Sequence, residues 1–309
     1  MSRWEASVDL GYTTFDCADI YTGVEELLGT FLRRLANPQR VQIHTKYVPD
    51  RGELSRIDRA QVEGAIDRSL RRLGREALDL VQFHWWDYAT AKYVEVAGWL
   101  HELRSAGKIR HLGLTNFDLQ RSREIVEAGV ELTSVQVQYS VLDRRVEQGL
   151  REWCGERRIA LLCYGTLAGG LLTDAWRRAS EIPVGTLNRS LIKYGLIVEE
   201  FGGWAVFQEV LAALASVSQE ASTATTAIRW ALDRPEVAGC IVGVSHRDRS
   251  SANGLLWSDQ WGQADWSKLT ALLDRRPGPG GPVYALERDP AGPHMKILRM
   301  NLNEEPEHE

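Results

Sequence analysis

The chain has 309 residues, 44% of them hydrophobic and 26% charged, with a formal net charge of -5. This is the balance of a folded globular protein with ample material for a core, and it excludes a disordered chain and argues against a general nucleic-acid binder. No apolar run is long enough to cross a bilayer and the amino terminus lacks the charged-then-apolar pattern of a signal peptide, so the expectation is a soluble, cytoplasmic protein without a membrane or nucleic-acid partner.

Residues 1–10 read as the end of a helix. Strands are expected at residues 12–16, 41–46, 78–84, 109–115, 134–139, 159–164 and 239–244. Their apolar character is continuous and not alternating, as a sheet buried on both faces demands. Amphipathic segments lie between them: VEELLGTFLRRLA, IDRAQVEGAIDRSLRRLG, AKYVEVAGWLHELRSAG, DLQRSREIVEAG and EQGLREWCGERR. Strand and helix alternate, so parallel pairing with right-handed crossovers follows. The fold class is therefore α/β, and a strand roughly every thirty residues predicts a (β/α)8 TIM barrel with its site at the carboxyl ends of the strands. No linker divides the series, so residues 1–309 are expected to form a single domain with residues 276–309 as a tail.

In the interval 166–234 the front half, with GTLAGGLLT, Pro183 and the polar run after it, reads as an extended loop; WAVFQEVLAALASVSQ and TTAIRWALDR read as helices. After DRRPGPGGP, the segment VYALERDPAGPHMKILRM predicts a terminal hairpin, two short apolar segments around a Pro/Gly turn. Cys17, Cys154, Cys163 and Cys240 are scattered without metal-ligand spacing, so no metal site is expected.

The chemistry lies at strand ends. Asp16 and Tyr21 stand five residues apart where the first strand turns into a helix, Lys46 closes the second strand and His84 the third. Converging polar groups at the carboxyl ends of successive strands are what a barrel enzyme requires. Asp19 reads as a turn or cap residue.

The ordered motifs FDCADIY, HTKY, VQFHWWD, GLTNFD, VQVQYS, YGTLAGGLLT and GVSHRDRSSAN resemble the aldo-keto reductase family over nearly the whole chain. The resemblance implies an NADPH-dependent oxidoreductase that reduces aldehydes or ketones to alcohols. Tyr21 would be the general acid and Lys46 the ammonium that stabilises its phenolate; Asp16 would keep Lys46 charged and His84 would meet the carbonyl oxygen. It also implies a first strand, preceded by a hairpin, upstream of the first helix, and neither is read here; the barrel is expected to be incomplete at its amino end.

For the cofactor, NADP(H) ahead of NAD(H), the resemblance places Thr115, Asn116 and Gln136 at the nicotinamide end, the latter two on its carboxamide, and Tyr164 against its ring. Gly165 and Leu167 would lie by the pyrophosphate. Gly243, Ser245, Arg249 and Asn253 would hold the adenosine half, Arg249 meeting the ribose phosphate. Tyr47, Trp85 and Trp86, beside Lys46 and His84, suggest an apolar substrate pocket that would take a small-molecule carbonyl substrate such as an aromatic or long aliphatic aldehyde; equally they could pack helices against the barrel. Two other readings stand beside the reductase. One is a catalytically impaired, nucleotide-binding accessory or regulatory subunit of the same fold. The other is an unrelated barrel enzyme that uses Lys46 as a Schiff base.

Overall fold

Short apolar runs bounded by turn residues form strands because a parallel sheet covered on both faces can bury every side chain they carry. A computed structural model describes residues 2–182, 188–243, 256, 261 and 264–298, and these fall into two compact units, one running to Gln136 and one from Val137 to Ile297.

The first unit opens with helix α1 (Ser2–Asp9) and strand β1 (Thr14–Asp16), followed by α2 (Val24–Leu32), β2 (Gln42–Tyr47), α3 (Arg59–Leu73) and β3 (Leu78–Phe83). It continues through α4 (Tyr93–Ser105), β4 (Ile109–Thr115), α5 (Leu119–Glu127) and the first three residues of β5 (Ser134–Gln138). Each strand pairs in parallel with the next, with Phe15 opposite Ile43, Lys46 opposite Gln82, Gln82 opposite Gly113 and Thr115 opposite Gln136. Consecutive residues such as Leu80 and Val81 are both buried. Since they point to opposite faces, the sheet is covered on both sides.

Local chemistry sets the helices. Asp58 and Gln61 form a reciprocal capping box at the start of α3, and Gly74 ends that helix in the left-handed conformation. Asp118, in GLTNFD, accepts the Arg121 backbone N–H at 2.9 Å and caps α5. Gly29 lets α2 lie directly on α3: a Cβ there would stand 2.1 Å from the Arg72 carbonyl oxygen. Arg72 then bonds Glu25 at 3.2 Å and Glu26 at 2.8 Å across the same contact.

In the second unit, α6 (Leu150–Glu156) precedes β6 (Ala160–Tyr164), which pairs in parallel with β7 (Val237–Cys240) through an irregularity at Leu161 and Leu162. Helices α7 (Arg189–Phe201), α8 (Gly203–Val217) and α9 (Thr223–Leu232) lie between the two strands in sequence. After β7 come α10 (Ser267–Arg275), α11 (Ala285–Arg288) and α12 (Pro293–Lys296). No helix among the described residues is long and apolar enough to cross a membrane.

Three expectations need correction. The last strand ends at Cys240 and not at residue 244, although the Ile241 N–H still bonds the Cys163 carbonyl at 2.7 Å. The expected loop after Pro183 contains α7: Asn188 caps it by accepting the Leu191 N–H at 3.0 Å, and Leu191, Tyr194, Ile197, Val198 and Phe201 form its buried stripe. That spacing is helical, and only the turn-forming Gly and Thr residues ahead of Asn188 extend the expected loop into it. The expected terminal hairpin is instead the pair of four-residue helices α11 and α12. Tyr284 sits at φ 63, which no strand accommodates, and Pro293 opens α12 where its missing N–H costs nothing.

Candidate active site

Pairing continues past the end of β1. The Cys17 N–H donates to the His44 carbonyl at 2.8 Å and the Asp19 N–H to the Lys46 carbonyl at 3.4 Å. The turn carrying Tyr21 is thus tied to the strand carrying Lys46. The Tyr21 N–H closes a turn on Ala18 at 3.1 Å, and its carbonyl accepts from Val24 at the entry to α2.

Asp16 and Lys46 meet directly, with Nζ 2.5 Å from Oδ2. The same ammonium donates to the Cys17 carbonyl at 2.7 Å and stands 5.5 Å from the centroid of the Tyr21 ring. Burial alone would push Lys46 toward its neutral form. The Asp16 charge, aided by Tyr21, outweighs that, and its pKa is held above the usual lysine range. Tyr21 is 49% exposed, so the ring that flanks the buried ammonium is open to a second molecule.

His84 follows β3, its N–H donating to the Tyr47 carbonyl at 3.0 Å. Its Nδ1 lies 3.2 Å from the Thr115 carbonyl oxygen. A carbonyl only accepts, so Nδ1 carries the hydrogen, and the chemistry of the site falls to Nε2. The Trp86 indole stands perpendicular to the imidazole, 4.3 Å between centroids. Trp86 also donates to the Pro49 carbonyl at 2.7 Å. Trp85 is fully buried and packs edge-on against Phe83 and Tyr93, while Tyr47 stacks on Phe83.

Sequence reasoning missed Gln82. It faces inward from β3 and donates from Nε2 to Asp16 Oδ1 at 3.0 Å. Gln136 reaches the same oxygen at 2.7 Å and the Gln82 Oε1 at 2.8 Å. The available signal was a lone amide inside an apolar strand, since buried amides must find partners. Asp19, read as a turn residue, brings both carboxyl oxygens to the Val48 N–H at 3.1 and 3.3 Å, and burial pushes its pKa up to about 8 against that bond. Burial likewise pushes the Cys17 thiol up to about 12 and keeps it from serving as a thiolate.

Of the expected cofactor residues, Thr115 and Asn116 lie at the end of β4, beside Gln136 in the middle of β5. The Asn116 N–H donates to the Gln136 carbonyl at 2.9 Å, and Asn116 adopts a left-handed φ of 63. The Thr115 hydroxyl lies 3.5 Å from Gln136 Oε1. Asn116 is half-buried, and its side-chain amide carries a donor and an acceptor, the complement of a carboxamide; the Gln136 nitrogen is committed to Asp16 and Gln82, which leaves its oxygen as an acceptor.

Tyr164 and Gly165 end β6 in the second unit. The Lys193 ammonium stands 4.9 Å from the Tyr164 ring centroid, and burial pushes the phenol well above the usual tyrosine range. The glycine loop after it closes on Tyr194. A Cβ on Gly165 would meet the Tyr194 hydroxyl at 2.5 Å and one on Gly169 its ring at 2.7 Å. Leu167 anchors the loop through its carbonyl, which accepts from Gly170 and Leu172. Gly243 is exposed; Ser245, Arg249 and Asn253 lie outside the described residues.

The aldo/keto reductase family model matches residues 3–274. Flagellar radial spoke protein 5 of Chlamydomonas reinhardtii is 30% identical over 313 residues, covering 87% of this chain and 57% of its own length. Aldo-keto reductase yakc [NADP(+)] of Schizosaccharomyces pombe is 31% identical over 198 residues, covering 61% of this chain and 58% of its own length. The chain therefore spans less than two thirds of either relative. A glycerol dehydrogenase structure from Gluconobacter oxydans aligns with a TM-score of 0.72 at 24% identity, over 90% of this chain and 86% of that one. That likeness is one of fold, the α/β architecture of the (β/α)8 barrel.

Proposed function

The chain belongs to the aldo/keto reductase family, and on that premise we propose that it is an NADPH-dependent oxidoreductase reducing aldehydes or ketones to alcohols. The observation that carries this reading is the Asp16–Lys46 pair at 2.5 Å with the Tyr21 ring 5.5 Å from the same ammonium.

When bound, reduced nicotinamide would supply the hydride. As charge grows on the carbonyl oxygen, Tyr21 delivers a proton to it. A phenol with an ordinary pKa of about 10 releases its proton reluctantly at neutral pH, so the adjacent Lys46 charge stabilises the phenolate left behind. Asp16 keeps that charge in place against burial. With Nδ1 bonded to Thr115, His84 accepts at Nε2 when neutral and donates to the oxygen when protonated.

Asn116 and Gln136 would hold the carboxamide, with Thr115 beside them. Tyr164 would lie against the ring, Gly165 and Leu167 by the pyrophosphate, and Gly243, Ser245, Arg249 and Asn253 on the adenosine half. The relative named for NADP(+) supports the phosphorylated cofactor. Trp86, perpendicular to the imidazole, is the aromatic of the three that would meet an apolar substrate beside His84, while Tyr47 and Trp85 pack on Phe83.

A second reading has an observation of its own. Likeness to a flagellar radial spoke protein favours a nucleotide-binding accessory subunit with little or no turnover. Quenching of tryptophan fluorescence by NADPH, followed by NADPH oxidation with a panel of aldehydes and ketones, separates the two. Binding with turnover supports the reductase; binding without it supports the subunit. No quenching and no turnover would sink both.

A further inference from the structure

We infer that Gln82 is a positioning residue for the Asp16–Lys46 pair, a clamp that keeps the Asp16 carboxylate turned toward the ammonium. This deepens the reductase reading and rests on it for its catalytic consequence.

Gln82 has no exposed surface and sits opposite Lys46 in the strand register. An ionised carboxylate only accepts hydrogen bonds, so the atom 3.0 Å from Asp16 Oδ1 must be the amide nitrogen. The orientation of the Gln82 amide is therefore fixed by its partner's chemistry. Its oxygen then faces Gln136, whose nitrogen divides its two hydrogens between Gln82 Oε1 at 2.8 Å and Asp16 Oδ1 at 2.7 Å.

Three donors thus converge on one carboxylate, two amides on Oδ1 and the Lys46 ammonium on Oδ2. Together they leave the carboxylate a single orientation, with Oδ2 toward Lys46. Gln82 acts on the phenol only through this chain of contacts.

The test compares Gln82→Met with Gln82→Glu. Methionine keeps the length of the side chain and removes both amide groups. Glutamate keeps the shape and the acceptor for Gln136, but brings a second carboxyl against Asp16. Two carboxyls in contact share a proton at a raised pKa. Protonated, the new side chain donates to Asp16 as Gln82 does; ionised, it repels it.

The expected result is that kcat/KM of Gln82→Glu approaches wild type at the acid end of the range and falls away as pH rises, by roughly tenfold near pH 8. Gln82→Met is low at every pH without such a step. Thermal melts give a readout independent of turnover. A folded-state pKa raised above its unfolded value contributes stability at low pH that is lost as pH rises, so the Tm deficit of Gln82→Glu should widen with pH. A Gln82→Glu protein that follows wild type at all pH values, or trails it by a constant factor in both rate and Tm, overturns the clamp. Should wild type fail to oxidise NADPH, the reductase reading fails, and the melts still decide: a deficit that widens with pH and shrinks when Asp16→Asn is added upholds the clamp, whereas a flat deficit, or one that widens equally with Asp16→Asn, refutes it.

Discussion

The ammonium of Lys46 stands 5.5 Å from the ring centroid of Tyr21 while bonding Asp16 at 2.5 Å, so one buried charge links the carboxylate to the exposed phenol. Tyr21→Phe removes the proposed proton donor without disturbing that pair, and should lower turnover roughly a hundred- to ten-thousandfold with NADPH quenching intact. Asp16→Asn acts differently. Without the carboxylate, burial dominates at Lys46 and its pKa falls, so the ammonium is lost at lower pH. The alkaline limb of the kcat profile should move to lower pH in Asp16→Asn. An unmoved limb would refute the role given to Asp16.

Asp19 makes the opposite prediction for stability. Burial raises its pKa from 3.8 to about 8. The folded protein therefore keeps a proton that the unfolded chain releases, and stability from this group is present below pH 3.8 and lost as pH rises through 8. Asn has the same shape, keeps an oxygen for the Val48 N–H and never ionises. Asp19→Asn should melt close to wild type at pH 4 and above it at pH 9. A melting difference that does not change with pH between those values refutes the buried-proton account.

These two carboxylates mark how far the sequence could be read. The five-residue spacing from Asp16 to Tyr21 and the strand-end places of Lys46 and His84 were visible because continuous apolar runs locate strand ends. The partners of Asp16 were not, because a side-chain amide in an apolar run gives no sign of which neighbouring strand supplies its bond. The Gln82–Asp16–Gln136 contacts join residues 66 and 120 positions from Asp16. Helix α7 was missed for a local reason: Leu191, Tyr194, Ile197 and Phe201 have helical spacing, but the turn-forming residues before Asn188 led the segment to be read as one loop. The C-terminal segment was misread because two apolar segments around a Pro/Gly turn cannot reveal that Glu287 is drawn inward to Arg145 far upstream.

Gly165 tests the packing of the glycine loop. Its φ is 69, and a Cβ would fall 2.5 Å from the Tyr194 hydroxyl and 2.9 Å from the ring. A non-glycine residue held in such a conformation costs about 1–3 kcal/mol before any clash is counted. Gly165→Ala should lower the urea midpoint, and adding Tyr194→Leu should recover only the part due to the clash. Full recovery in the double variant would show that backbone strain contributes nothing. No loss in the single variant would show that the loop moves aside freely.

The buried ion cluster of the second unit gives the largest stability effect. Arg145 bonds Asp143 through Nε at 2.9 Å and Nη2 at 2.6 Å, and reaches Glu287 through Nη1 at 3.0 Å. All three side chains are almost wholly buried. Arg145→Met leaves two carboxylates without their cation in a place water does not reach, and should destabilise by about 3–5 kcal/mol. Burial alone would raise the Glu287 pKa, but the arginine outweighs it and holds the carboxyl below its ordinary 4.5. A depressed folded-state pKa means stability that is present above 4.5 and lost as pH falls through the folded value. Glu287→Gln should therefore cost stability at neutral pH and flatten the acid limb of the Tm profile. An acid limb as steep as wild type in Glu287→Gln would assign that loss to other carboxylates, whereas a flattened one ties the α11 segment to Arg145 by charge.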